Sequence, residues 1–404
     1  MMKFIHLADA HLDSPFLGLS FLPSNSFTQI HQAPNESLTQ IVNVAIKEKV
    51  DLVLIAGDTF DSPRPNPSSQ LFFASEVERL TKAKIQVVMI FGNHDHMQKT
   101  DLLVPDSPYF KLLGNSEKIE TINRQTDSGF KYSVTGFSYL NNHITIDKVA
   151  AFPAKNANYN FGIMHAQEKS GKSNQNVYAP FNLTELKELN YDYFALGHIH
   201  LRQILSEKPL IAYSGNIQGR HINEKGAKGC YFGEIDERTK ETKISFLQTS
   251  PIIWQQVDIK LNAPISPTDL QKKILTVTKA KATTYYSLQI NGAEFLNEKE
   301  RDLIQDSQFW QMISSKLDYN SQLVDVRFSS NSQLEVASND LTYFNQAKKD
   351  VFDKNNFLAF CKDWVQKDEF ASQLIEDENF LQEVVQLTEV ELNNKLKGIS
   401  DEIS

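Results

Sequence analysis

The sequence predicts a mixed α/β chain whose leading domain is a largely parallel sheet. Three observations carry that expectation. Short apolar runs such as Leu52-Val53-Leu54-Ile55-Ala56 alternate with segments of helical period, the pattern of strands buried on both faces. Five of these runs end on residue types that bind metals. From about residue 253 the texture changes to a β-α-β-α-β unit of its own, without such residues clustered at strand ends.

At 404 residues the chain exceeds one ordinary core. It reads as three parts: 1–250, a small α/β domain over 251–340, and an acidic helical region over 341–404. The net charge of −9 argues against a polyanionic partner at first sight. It is uneven, however. Residues 341–404 hold 7 Lys and Arg against 13 Asp and Glu. Residues 202–230 hold Arg202, Lys208, Arg220, Lys225 and Lys228 against Glu207 and Glu224, so a local basic surface is compatible with an acidic whole. No run of about 18 apolar residues suggests a membrane span. The start lacks a secretory h-region. Two cysteines, Cys230 and Cys361, form no disulfide framework. A cytoplasmic location is expected.

The first strand, Lys3 to Leu7, ends on Asp9 and His11. Two residues apart on extended chain, both point the same way. A helix is expected over 35–49. The Leu52 strand follows and stops at Gly57-Asp58, where an open α/β sheet presents its ligands. Alone, Asp58 serves as well for a helix cap or a turn. A loop, Asp61-Ser62-Pro63-Arg64-Pro65-Asn66-Pro67, and a helix near 68–81 lead to Ile85–Phe91, which ends on Gly92-Asn93-His94-Asp95-His96. Lys131 to Tyr139 is a further strand, with Gly136 marking a bulge. Phe161 to Met164 ends on His165, and Tyr193 to Leu196 on Gly197-His198-Ile199-His200. Leu210–Tyr213 is followed by a closing hairpin, Gly229–Asp236 with Thr242–Leu247. In the second part strands are expected over 253–261, 283–291 and 321–329, and helices over 266–279 and 298–316. The acidic region, with Phe360, Trp364, Phe370, Leu374, Phe380, Leu381, Val384 and Val385 as apolar members, is either a partner-docking element or a helix pair packed on its own domain.

Asp9, His11, Asp58, Asn93, His165, His198 and His200 together offer two carboxylates, one amide and four imidazoles. That set suits two first-row divalent ions, Mn²⁺ foremost, with Fe²⁺ or Zn²⁺ as alternatives; Mg²⁺ and Ca²⁺ want fewer imidazoles. Asp58, central in the sheet order, is the carboxylate to bridge them. Such pairs lie about 3.5–4 Å apart and hydrolyse phosphoesters. The charges leave about one positive unit, matching one phosphodiester anion.

The motifs Asp9-Ala10-His11, Gly57-Asp58-Thr59-Phe60-Asp61, Gly92-Asn93-His94-Asp95, His165 and Gly197-His198-Ile199-His200 resemble those of the calcineurin-like metallophosphoesterases. Within that family His6 to Leu12, Gly57 to Pro65 and the small second domain resemble the SbcD-type DNA repair exonucleases. Tyr213 to His221 is similar to the YhaO branch, while the helical tail departs from the better-known SbcD proteins. The resemblance implies a two-sheet β-sandwich flanked by helices. It implies one ion held by Asp9, His11, Asp58 and His200, and another by Asp58, Asn93, His165 and His198. His94 would be the catalytic histidine, oriented by Asp61. DNA would be the substrate, a coiled-coil ATPase of the SbcC type a partner, and a homodimer an assembly to test for. Arg64, Lys169, Lys172, Arg220 and His221 lie on loops expected to flank the cleft and contact DNA. Two other readings remain: a phosphodiesterase for a small nucleotide or other phosphoester, and a binding protein with a vestigial site, which the intact ligand set disfavours.

Overall fold

The computed structural model describes residues 1–16, 19, 22–169, 177–280, 282–296, 307–329 and 341–362, with 381, 384, 385 and 388. The chain divides into two compact units, Met1–Gln255 with Lys281–Tyr285, and Gln256–Ala280 with Tyr286–Ser404. In chain order the described strands of the first unit are β1 (Met2–Leu7), β2 (Leu52–Ala56), β3 (Gln86–Ile90), β4 (Phe110–Leu112), β5 (Glu120–Gln125), β6 (Lys131–Gly136), β7 (Tyr159–His165), β8 (Tyr193–Gly197), β9 (Gln203–Glu207), β10 (Leu210–Tyr213), β11 (Gly229–Ile235) and β12 (Thr242–Gln248). They form two six-stranded sheets, in the orders β12-β11-β1-β2-β3-β4 and β5-β6-β7-β8-β10-β9.

Period-two alternation builds the layers. The odd-numbered side chains Ile5, Leu7, Val53, Ile55, Val87 and Met89 pack against helix α1 (Ser24–Glu48) and helix α2 (Pro67–Lys82). Their even-numbered neighbours Phe4, Leu52, Leu54, Val88 and Ile90 meet Phe161, Ile163, Tyr193 and Ala195 of the second sheet. The far face of that sheet is covered by Val149, Phe152, Phe181, Tyr191 and Leu186 of helix α3 (Leu183–Glu188). Strands β1, β2 and β3 run parallel, as do β7, β8 and β10. The outcome is the expected sandwich of two mixed sheets flanked by helices.

Helix α1 begins at Ser24, well before residue 35, and runs through Pro34. A proline removes one helical hydrogen bond and usually ends a helix. Here Ile30, Ala33, Pro34, Leu38 and Ile41 form one continuous buried face, so burial outweighs that local cost. Gly136 marks no bulge: β6 pairs with β7 in regular register. A Cβ at Gly136 would lie 2.5 Å from Ile163, so close strand approach is what excludes a side chain. The register shift in this sheet lies instead at Ile211/Ala212.

The second unit carries the sheet β13 (Ile253–Lys260), β14 (Thr284–Asn291) and β15 (Ser321–Ser329), in that order. Helix α4 (Pro267–Val277) is capped by Ser266, whose Oγ accepts from the Asp269 backbone N–H. Its Leu270 and Ile274 join Leu288, Ile290, Phe309, Ile313 and Leu323 in a separate core. Of the helix expected at 298–316, Ser307–Ser314 is described. Helical segments follow at Leu341–Val351 and Lys354–Phe360. Phe360 is exposed, and Leu381, Val384 and Val385 are helical; Trp364, Phe370, Leu374 and Phe380 lie outside the described residues. Among the described residues no helix is long and apolar enough to cross a membrane.

His6 shows how the inter-sheet layer accepts a polar side chain. Its Nε2–H donates to the Leu196 carbonyl at 3.2 Å, and its Nδ1, 2.8 Å from Tyr193 Oη, accepts from the phenol. Burial pushes its pKa down to about 3, so the folded ring stays neutral while an unfolded one protonates below about 6.5. The unfolded state then binds more protons, and stability falls as pH drops from about 6.5 towards 3. In chelator, His6→Phe should flatten this pH dependence by up to about 1.4 kcal/mol per pH unit in denaturant titrations. An unchanged slope would show that His6 protonates equally in both states.

Candidate metal centre

Five parallel strands deliver their C-terminal ends to one edge of the sandwich. β1 presents Asp9 and His11, β2 Asp58, β3 Asn93, β7 His165, and β8 His198 and His200. The ladder continues beyond the strands: Asp9 N donates to Gly57 O, His11 N to Asp58 O, and Leu12 N to Thr59 O, all at 3.0–3.1 Å. Four of the site residues hold left-handed backbone, Asp9 (φ 51°), His11 (φ 43°), Asp58 (φ 50°) and His198 (φ 98°). Such conformations cost about 1–3 kcal/mol each and persist where surrounding structure imposes them. Two glycines leave room for the ligands. A Cβ at Gly57 would sit 2.5 Å from His165 Nδ1, and one at Gly92 2.2 Å from Asp58 Oδ1.

The side chains converge. Asp58 Oδ2 is 3.2 Å from His165 Nε2 and 3.9 Å from His11 Nε2, so one carboxylate faces both halves of the site. Asn93 Oδ1 lies 3.0 Å from His165 Nε2 and 3.1 Å from His198 Nδ1. His11 Nε2 and His200 Nε2 are 3.1 Å apart. Asp9, His11 and His200 form one potential ion cluster, Asp9, Asp58 and His165 a second, and His11, Asp61 and His94 a third at the margin.

Donors in this arrangement fit cations. Two imidazoles have their other nitrogen hydrogen-bonded to an acceptor, His165 Nδ1 to the Ala56 carbonyl at 3.0 Å and His200 Nδ1 to Glu224 at 2.6 Å, and His11 Nδ1 lies 2.9 Å from Asp61 Oδ1. That fixes the tautomer and aims a lone pair inward, as outer partners of metal-ligating histidines do. Neutral His11 and His200 would then point lone pairs at each other, which is repulsive unless a cation lies between them. His165 reports the same need for positive charge. Burial opposes its protonation, yet Asp58 and Asp9 lift its pKa to about 9. Burial pushes His198 and His11 down to about 3, with His165 adding to the effect on His198 and Arg220 to that on His11.

Residues 2–202 match the sequence profile of the calcineurin-like phosphoesterases. The chain carries a calcineurin-like phosphoesterase domain. It is 35% identical over 268 residues to the metallophosphoesterase YhaO of Bacillus subtilis, covering 64% of this chain and 63% of the relative. It is 23% identical to the DNA double-strand break repair protein Mre11 of Saccharolobus solfataricus, over 69% and 70% of the two chains. A component of the SbcCD nuclease of Staphylococcus epidermidis shares 25% identity, over 54% and 61%. Against the first and third of these the chain spans under two thirds of the relative's length.

In this phosphoesterase domain the other candidate residues fall differently. His94 diverges from Asn93 and is 39% exposed. Its Nδ1 is 3.5 Å from Asp61 Oδ1 and 3.3 Å from the Asp61 carbonyl oxygen. Asp61 is engaged more closely by His11 and by Arg220, whose Nη2 reaches its Oδ1 at 2.7 Å. Arg220 therefore turns inward to a carboxylate instead of outward to solvent. Lys228 Nζ donates to the His200 carbonyl, so two of the five cations between 202 and 230, Arg220 and Lys228, are engaged within the fold, while Arg202 is exposed over the Phe246 ring. Lys169 pairs with Asp147 at 2.8 Å. Arg64 is exposed on the loop after β2. His221 lies 3.3 Å from Glu224. Lys172 lies outside the described residues.

Two carboxylates of the site were not singled out from sequence. Buried Asp95 accepts from the backbone N–H of Gly92 and Thr59, each at 2.7 Å, tying the β2 and β3 loops together. Burial, then the neighbouring Asp58 carboxylate, push its pKa up to about 7. Glu224 holds His200 and accepts from Asn216 Nδ2 at 2.6 Å and from Arg220 N at 2.7 Å. Burial opposes its charge, but His200 keeps it far below the usual carboxylate range. Losing such an outer partner costs about 10–100-fold in metal affinity. Glu224→Gln should weaken one Mn²⁺ by that factor in equilibrium dialysis; unchanged binding of both ions would show that His200 needs no anchor.

Proposed function

We propose that this phosphoesterase is a Mn²⁺-dependent DNA nuclease of the SbcD type, acting in DNA repair in the cytoplasm. The observation that carries this reading is a buried set of oxygen and nitrogen donors for two ions, with half-buried His94 at its margin. Asp9, His11, Asp58 and His200 would hold one ion, and Asp58, Asn93, His165 and His198 the other. Bound ions would supply Lewis acidity and an activated water for phosphodiester hydrolysis. His94 would stand over the attacked phosphate and give a proton to the leaving 3′-oxygen. The names of the relatives, a DNA double-strand break repair protein and a subunit of the SbcCD nuclease, support DNA as the substrate, and the resemblance to SbcD-type nucleases implies an SbcC-type coiled-coil ATPase as partner. Residues 1–250 would be catalytic, 251–340 would cap the substrate, and 341–404 would dock the partner. Arg64, Lys169 and His221 are the candidate phosphate contacts.

One comparison tests the reading. Mn²⁺-dependent cleavage of end-labelled duplex DNA is measured beside hydrolysis of an activated aryl phosphodiester. Cleavage of both is expected. Hydrolysis of the small ester alone would assign the chain to small phosphodiesters instead.

A further inference from the structure

We propose that Arg220 is a positioning residue for one ion position, the one faced by His11 and His200. The inference rests on the ligand assignment just proposed. Both of these histidines are backed by carboxylates, His11 by Asp61 at 2.9 Å and His200 by Glu224 at 2.6 Å. Arg220 joins the two carboxylates. Its Nη2 reaches Asp61 Oδ1 at 2.7 Å and Oδ2 at 2.8 Å, and its backbone N–H donates to Glu224 Oε2 at 2.7 Å. Its Nε donates to Ser14 Oγ at 3.2 Å, which fixes the guanidinium from a third side.

The other ion position is built differently. His165 rests on the Ala56 carbonyl, and His198 faces Asn93. A backbone carbonyl needs no side chain to orient it. A carboxylate can rotate, and Asp61 has a second imidazole within reach, His94 Nδ1 at 3.5 Å. Arg220 therefore allocates Asp61 to His11. The planar guanidinium holds the carboxylate in one orientation, which a flexible ammonium does less well.

This role differs from contact with DNA, and the two predict different measurements. Full-length wild type, Arg220→Met and Arg220→Lys are titrated with Mn²⁺ alone, free ion being read by electron paramagnetic resonance. Wild type should bind two ions. Arg220→Met should keep one at wild-type affinity and weaken the other about 10–100-fold, and Arg220→Lys should lie between. The weakened ion is identified by a double-mutant cycle: Arg220→Met should add nothing to His11→Ala but its full effect to His198→Ala. The salt dependence of DNA binding should be unchanged, since no phosphate contact is lost. Equal weakening of both ions, unaltered binding of both, or a flatter salt slope overturns the assignment while leaving the two-ion centre intact. A wild type that binds a single ion overturns both. If Arg220→Met does not fold, Arg220→Gln carries the same measurements.

Discussion

Asp58→Asn should lose both ions together. Its carboxylate is buried at the centre of the first sheet, on the strand flanked in parallel by β1 and β3. Oδ2 faces His165 on one side and His11 on the other, while Oδ1 accepts from the His94 backbone N–H at 2.9 Å. Asparagine keeps the shape and one acceptor but removes the charge that both ion positions share. The loss should therefore exceed the roughly 10–100-fold that follows removal of an outer partner, and it should fall on both ions at once. His165 should change with it. Its pKa stands at about 9 through Asp58 and Asp9 working against burial, so without Asp58 the ring titrates nearer its ordinary value in chelator. Elemental analysis of the purified variant decides the matter: two ions retained per chain would remove Asp58 from the shared position.

The strands that carry the ligands were legible because the sheet is parallel and covered on both faces. β2 is five consecutive buried residues, and such a run reads directly as a strand. β4, β5 and β9 were missed for the opposite reason. They lie at or near sheet edges, are short or half-exposed, and show no continuous apolar run. The first eleven residues of α1 were hidden behind Pro34, where a local rule and a buried face disagree and the face prevails.

The inward-facing ligands were legible as residue types, since aspartate, asparagine and histidine after successive strands is an uncommon combination. What holds them was not. Glu224 and Arg220 sit on a loop without periodicity, and their partners, His200, Asp61 and Ser14, are 24, 159 and 206 residues away. Nothing local marks a carboxylate that will meet an imidazole across the fold. A signal did exist in Asp95, which stands inside the Gly92–His96 motif, but its use is structural: it binds backbone N–H groups of two loops. The basic balance of residues 202–230 was legible as a count and misleading as a surface, because Arg220 and Lys228 are engaged inside the fold.

His94→Ser should keep both ions and lose roughly 10²–10⁴ in turnover on DNA, the usual range for a lost general acid. Asn93 Oδ1 lies against His165 and His198 while His94 Nδ1 lies beside Asp61, so the two neighbouring side chains face different parts of the site. It is 39% exposed beside a cluster of buried ligands, where a substrate phosphate can reach it. Its backbone N–H is bound to Asp58 Oδ1, and serine preserves that bond, so the substitution removes the ring without loosening the bridge position. The leaving 3′-oxygen of DNA is a strongly basic alkoxide and needs a proton. An activated aryl phosphodiester leaves as a stable phenolate and needs none. The variant should consequently slow DNA cleavage far more than aryl ester hydrolysis. Equal slowing of both substrates would assign His94 to charge stabilisation alone, and loss of metal would make it a ligand.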